Sequence, residues 1–199
     1  MKKPLITILF SLAFGLAITA PANASFDEGI AALETGNYTI ALREFRPLAE
    51  KGNANAQLGL GLMYAEGKGV AQDYKEAVNW IRKAAMQGDV DAQYRLGAIY
   101  FNGLGVVQDH KEAVNWFRKA AMQGDVSAKY NLSFMYAQGQ GVAKNYVIAY
   151  ALFNTASVTD NEAHKGRSEL TKMMTPAQIE AGQALTRRMQ TVGIDKALK

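Results

Sequence analysis

The chain has no cysteine, two histidines, two tryptophans and only four prolines among its 199 residues. Without cysteine there are no disulfide staples, so packing alone must hold the fold. No thiol for lipid attachment follows the apolar run either, which argues against an acylated lipoprotein. Two histidines far apart in the chain and no cysteine argue against a zinc site, which needs three or four ligands. Charge of one sign is also missing: 22 basic against 18 acidic residues leave a formal +4. Lys2 and Lys3 contribute half of that, so the remainder carries about +2, too little and too mixed to argue for nucleic acid.

Long apolar runs are absent with one exception, Leu5 to Ile18. It follows Lys2 and Lys3 and ends in Pro21-Ala22-Asn23-Ala24. A positive start, a short apolar core and an Ala-x-Ala exit describe a secretory signal peptide. The run is shorter than the ~20 residues that span a bilayer. The expectation is a leader over 1–24, a mature chain from Ser25, a periplasmic or secreted location, and no integral membrane segment once the leader is removed.

What the chain has in excess is repetition. Asp73-Tyr-Lys-Glu-Ala-Val-Asn-Trp-Ile-Arg-Lys-Ala-Ala-Met-Gln-Gly88 returns almost unchanged as Asp109 to Gly124. Tyr64-Ala-Glu-Gly-Lys-Gly-Val70 returns as Tyr100 to Val106 and as Tyr136 to Val142. Recurrence at roughly 36 residues is the mark of a stacked repeat array. Each repeat reads as two helices. Tyr74, Ala77, Val78, Ile81, Ala84 and Ala85 share one helical face, as do Ala92, Leu96 and Tyr100 with their counterparts in the other copies. We call the first helix of each repeat A and the second B. Asn53, Asp89 and Asp125 are N-caps for the A helices. Asp73 with Glu76, and Asp109 with Glu112, have capping-box spacing for the B helices. Gly88 and Gly124 supply left-handed exits. Gly61, Gly97 and Ser133 keep one A-helix position small, allowing a close neighbour. A Gly-x-Gly-Val turn joins A to B; with no strand before it, it lacks the βαβ setting of a phosphate-binding loop.

The ends depart from the pattern. Phe26 to Glu34 reads as an opening helix, and Asn37 starts a B-type helix in which Pro47 should cause a bend or an early stop. The last B helix runs from Asn145 to Ser157, with Asp160 where a glycine is expected. Asn161 to Met173 forms a degenerate A helix, placing His164 where Ala128 stands. Thr175-Pro176-Ala-Gln178 opens a capping helix to about Thr191. The domain plan is therefore a leader at 1–24, a solenoid at 25–160, and a degenerate repeat with cap and basic tail at 161–199. Within the solenoid, a partial repeat covers 26–52, and clear repeats cover about 53–88, 89–124 and 125–160.

The pattern Ala92-x3-Leu96-Gly97-x2-Tyr100-x2-Gly103-x-Gly105-Val106-x2-Asp109-x-Lys111-x-Ala113-x2-Trp116-x2-Lys119-Ala120-Ala121-x2-Gly124 resembles the Sel1-like repeat. That family is related to the tetratricopeptide repeat. The resemblance implies an all-α, right-handed α/α superhelical solenoid of helix hairpins, closed by a C-terminal capping helix. It also implies a protein- or peptide-binding adaptor, with the A helices lining the concave face. Some cysteine-rich secreted members are linked to β-lactam binding or hydrolysis, which makes an enzyme acting on β-lactams or cell-wall fragments the rival reading; this chain lacks their cysteines.

No catalytic constellation, cofactor site or metal site is found. His110 and His164 lie about one and a half repeats apart, without a nucleophile beside either. The basic tail (Lys165, Arg167, Lys172, Arg187, Arg188, Lys196 and Lys199) is interrupted by acids and offers a third reading, association with an anionic envelope surface. The copies themselves give one pointer. Between Gln72–Val106 and Gln108–Val142 about eleven positions differ, and about nine of these fall between Asp91 and Leu104. The expected recognition surface is thus Gln57, Gln93, Arg95, Phe101, Asn102, Lys129, Asn131, Phe134 and Gln138. Against it stands the plainer view that A helices adapt to unequal neighbours. Trp80 and Trp116, repeated in place, read as packing residues.

Overall fold

The structure, a computed structural model, describes residues 24–156 and 161–198. Residues 1–23 of the expected 1–24 leader, the exit turn around Asp160 and the terminal Lys199 lie outside the described residues. Among the described residues there are eleven α-helices and no strand. They are α1 (Phe26–Glu34), α2 (Tyr38–Glu50), α3 (Ala54–Glu66), α4 (Tyr74–Met86), α5 (Val90–Asn102), α6 (His110–Met122), α7 (Val126–Gln138), α8 (Tyr146–Ala156), α9 (Asn161–Thr171), α10 (Pro176–Val192) and α11 (Ile194–Ala197). Consecutive helices pack as hairpins, α3 on α4, α5 on α6 and α7 on α8, and each hairpin packs on the next. The result is an all-α solenoid.

The A helices start as their caps require. Asn53, Asp89 and Asp125 each accept a bond from the third amide onward, at 2.9, 2.7 and 2.5 Å. They end on Gly67, Gly103 and Gly139, all left-handed, with the next amide folding back onto Met63, Ile99 or Met135. The B helices start differently from expectation. Asp73 caps Lys75 and Glu76 through Oδ1, but its own N–H donates to the carbonyl of Tyr64 at 2.9 Å. Asp109 does the same to Tyr100, and Asn145 to Tyr136. No capping box closes there, because the loop brings back the A helix's orphan carbonyl, and one bond satisfies both helix ends. At Thr175 both halves of the box are present. Nor is α2 shortened by Pro47. It spans 13 residues, as α4 does, since a proline this close to the last turn removes a single helical bond.

The second glycine of each loop joins repeats. Gly105 has φ +71°, and a Cβ there would lie 2.6 Å from the carbonyl carbon and oxygen of Tyr74, at the start of the preceding B helix. Gly69 stands in the same relation to Tyr38, and Gly141 to His110. The small A-helix position serves a side chain more than a backbone. A Cβ on Gly97 would meet the Phe117 ring at 2.7 Å, and one on Gly61 would meet Ile81 Cγ1 at 2.7 Å. Buried apolar residues gather in three clusters along the chain, with Leu60, Leu96 and Leu132 almost fully enclosed. Trp80 packs against the first cluster and Trp116 lies within the second. Each is roofed by a lysine one turn on, Lys83 at 3.7 Å and Lys119 at 3.8 Å from the ring centre.

At the far end α10 packs on α8, where Gly182 admits the Tyr150 ring, and α11 reaches back to α6. Met189, Ile194 and Ala197 complete the last cluster. In α9 the register is one residue off the expected one: Ala163 is buried in the alanine slot, and His164 faces outward.

Leu96→Ala should lower stability by about 2–5 kcal/mol and broaden the unfolding transition, because the cavity weakens both neighbouring interfaces. A loss below about 0.5 kcal/mol in chemical denaturation would place Leu96 outside the core. Gly88→Ala, where nothing lies within 4 Å of the new Cβ, should cost only the left-handed strain of about 1–2 kcal/mol. Gly105→Ala should cost distinctly more in the same measurement; equal losses would show that the loop stacking contributes nothing.

Candidate functional site

The recurring polar residues divide into those that tie the stack together and those that face out. Gln57 and Gln93 belong to the first group and are buried. Gln57 Nε2 donates to the Ala49 carbonyl at 3.0 Å, while its Oε1 accepts from Gln87 at 2.7 Å. Gln93 repeats this with Ala85 and Gln123, at 3.1 and 2.9 Å. Both are therefore corrected from recognition residues to rungs of an amide ladder between repeats. Buried amides must find partners, and the adjoining helix end supplies a carbonyl. A second ladder joins Arg46, Arg82 and Arg118 of one B helix to the hydroxyls of Tyr64, Tyr100 and Tyr136 in the next A helix, at 3.3, 2.9 and 2.7 Å.

The remaining expected residues do not form one patch. Arg95 pairs with Asp91 on its own helix at 3.1 Å. Phe101 is half-buried and stacks on His110, ring centres 5.1 Å apart, which accounts for that histidine as a packing partner. Asn102 and Asn131 each donate to the carbonyl one turn back, Ala98 and Ser127. Lys129 is half-buried and donates to Gly124 at 3.1 Å. Burial lowers its pKa against the opposing pull of Asp125. It lines a small cleft with Thr155, Met189 and Ile194, on the side covered by α10 and α11.

Phe134 and Gln138 do come together, at a groove of about 620 Å³ between α7 and α9. Phe153 of α8 lies between them, 2 % exposed. Its ring meets Tyr130 and Phe134 edge-on at 5.9 and 5.3 Å, and those two meet each other at 5.0 Å. Edge-to-face aromatic contacts of this kind hold ring positions firmly. α9 can approach because Gly166 has no side chain; a Cβ there would lie 2.7 Å from the Phe153 ring. Leu170 and Met173 extend the apolar lining, and Met173 is 59 % exposed. Around it stand Gln138, Lys144, Tyr146, Glu162, Lys165 and Glu169. Lys165 pairs with Glu162 at 2.6 Å, and that hydrogen bond raises the lysine pKa. An apolar floor with polar groups of both signs around it suits an aromatic or aliphatic side chain carried on a peptide.

Aligning the copies reveals a signal for this groove. Leu58, Leu62 and Ile81 of the first repeat become Tyr94, Ala98 and Phe117, then Tyr130, Phe134 and Phe153. Aromatics accumulate toward one end. Among the described residues no group of three His, Cys, Asp or Glu could hold a metal ion. His164 Nδ1 lies 3.1 Å from Arg167 Nη2. The tail cations are partly engaged: Lys172 with Glu169 at 2.6 Å, Arg167 also with Asn154, and Arg188 with the Lys196 carbonyl at 3.4 Å. No helix among the described residues is long and apolar enough to cross a membrane.

Comparison with known proteins agrees with this architecture. The Sel1 repeat model matches residues 54–89, 90–125 and 126–157. A crystal structure of a Sel1 repeat protein from Oxalobacter formigenes is similar at TM-score 0.66 and 33% identity, over 70% of this chain and 56% of that one. The structure of c5321, a protective antigen present in uropathogenic Escherichia coli strains and displaying an SLR fold, is similar at TM-score 0.59 and 29% identity. That match covers 85% of this chain and 47% of the other, so the chain spans about half the length of these relatives. No curated protein matches. The three matched repeats take in more than half of the chain, which belongs to the Sel1 repeat family.

Proposed function

We propose that this Sel1 repeat protein is exported and acts in the cell envelope as a scaffold that holds a partner protein through an extended segment. Sel1 repeat proteins commonly mediate protein–protein interaction. The observation that carries the reading is the aromatic groove between α7 and α9, an apolar slot about 620 Å³ in volume on the A-helix side of the stack. It fits one or two apolar side chains. Gln138 at its edge presents an amide that can pair with a peptide main chain, the usual division between anchoring and polar rim. The rim mixes Lys144 and Lys165 with Glu162 and Glu169, so it sets orientation by charge pattern more than by net charge.

A photo-crosslinking residue at Gln138 should give discrete adducts with a partner in intact cells, while one at Met86, 74 % exposed on the outer face of α4, should not. Phe134→Ala should weaken partner binding about 30-fold, the effect of losing a central aromatic anchor worth roughly 2 kcal/mol. Adducts that form at Met86 and not at Gln138 would move the interface to the B helices. For export, the chain recovered from the envelope should begin at Ser25 by intact mass. A chain retaining Met1 to Ala24 would overturn that part of the reading.

A further inference from the structure

Glu44 is the fully buried acid of α2, with 0 % of its surface exposed. In register with the later repeats, it occupies the position of Trp80, Trp116 and Leu152. The two tryptophans pack toward the preceding repeat. At α2 the element packed in front is the single helix α1, and a carboxylate replaces the indole. A buried carboxylate is costly unless both oxygens are paired. Oε1 accepts from Arg43 Nε and Nη2, at 2.9 and 2.7 Å. Oε2 accepts from the backbone nitrogen of Ser25 at 3.1 Å. Ser25 is in turn the cap of α1, its Oγ accepting from Glu28.

Ser25 is also the residue after Ala22-Asn23-Ala24, the predicted leader exit. We infer that Glu44 is a built-in receptor for the α-ammonium group created when the Ala24–Ser25 bond is cut, so that processing completes the first hairpin. In that hydrolysis water adds to the Ala24 carbonyl carbon and the C–N bond breaks. Ala24 leaves as a carboxylate, while the Ser25 nitrogen keeps the bonding electron pair and is protonated. The peptidase contributes catalysis and no atoms. The nitrogen that donated one N–H to Oε2 as an amide then donates from a cation, turning a neutral contact into an ion pair. Arg43 pairs with Oε1 from a side chain that is 46% exposed, which leaves Oε2 to the Ser25 nitrogen. The inference rests on the export reading above.

The Arg43 hydrogen bond, followed by the Ser25 N–H, holds the Glu44 carboxyl below its ordinary pKa against the effect of burial. Glu44 is therefore charged at neutral pH, and its contribution is lost only as pH falls through that lowered value. The facing carboxylate raises the amine above its ordinary value of about 7.7–8.0. Its contribution is complete below the unfolded value and disappears as pH rises through the folded one. The other charges nearby in the chain are Asp27 and Glu28 in the first turn of α1 and Arg43 on α2; α3 carries one acid, Glu66, at its far end.

The test compares three full mature chains at pH 7: one starting at Ser25 with a free amine, one Nα-acetylated at Ser25, and one retaining Ala24. The free-amine chain should melt about 2–4 °C above the other two. Glu44→Gln should bring all three to a common, lower midpoint. Equal melting of the free and acetylated chains, or a difference that survives Glu44→Gln, overturns the inference. Should the glutamine variant not fold, NMR titration of the Ser25 amine decides, and a value within about 7.7–8.0 overturns it. A chain that keeps Met1 to Ala24 overturns the export reading and this inference together; an envelope form cut at another bond, or a Ser25 start with equal melting, overturns this inference alone.

Discussion

The structure depends on how closely one hairpin sits on the next, and that closeness is set where loop backbone meets the head of the preceding B helix. At Gly69, Gly105 and Gly141 even a methyl group would intrude on this contact. Once the repeats are held at that distance, glutamine reaches glutamine and arginine reaches tyrosine across the junction. The same spacing lets one backbone bond close each A-to-B turn. The ladders are therefore consequences of the approach and stabilise it in return. In a linear array each interface answers only to its neighbours, so the same residues recur wherever the same neighbours meet.

The two ends solve the problem of having only one neighbour in different ways. At the head, α1 covers α2, and a carboxylate takes the place that an indole fills elsewhere. At the tail, α10 lies across α8 and α11 returns to α6. α9 covers α8 as well, and the gap left between α9 and α7 is the groove. The candidate site thus lies where repetition stops, in a space shaped by an imperfect copy.

Much of this was legible in the residues, and for a physical reason. Stacked hairpins must present matching surfaces, so Ala92, Leu96 and Tyr100 announce themselves by returning. The destinations of polar side chains were harder to read. Gln57 and Gln93 sit in the variable A helices and look like surface amides, yet each follows a buried alanine in the first turn and points at the end of the helix before it. Nothing in local spacing distinguishes those cases. The capping boxes at Asp73 and Asp109 failed because their donors were taken by a carbonyl nine residues earlier in the chain, a competitor that exists only after the loop closes. His164 missed by one position because a degenerate repeat gives too few landmarks to hold the register. The groove left a trace, the rise in aromatics toward Phe153, which becomes meaningful once α9 is seen beside it.

The amide ladder bears on how such an array can grow. Gln57 and Gln93 each take a carbonyl behind and offer an oxygen ahead, so another copy duplicated between them would find both needs met. At the equivalent place in the third repeat stands Lys129, whose ammonium donates to Gly124 and has no oxygen to offer. Thr159 stands where the next glutamine donor would be. Gene duplication could lengthen the middle of this protein without redesigning a surface, whereas extension past the third repeat would meet an incompatible end. Two departures from the ladder, at Lys129 and Thr159, thus mark the end beside which the aromatic groove lies.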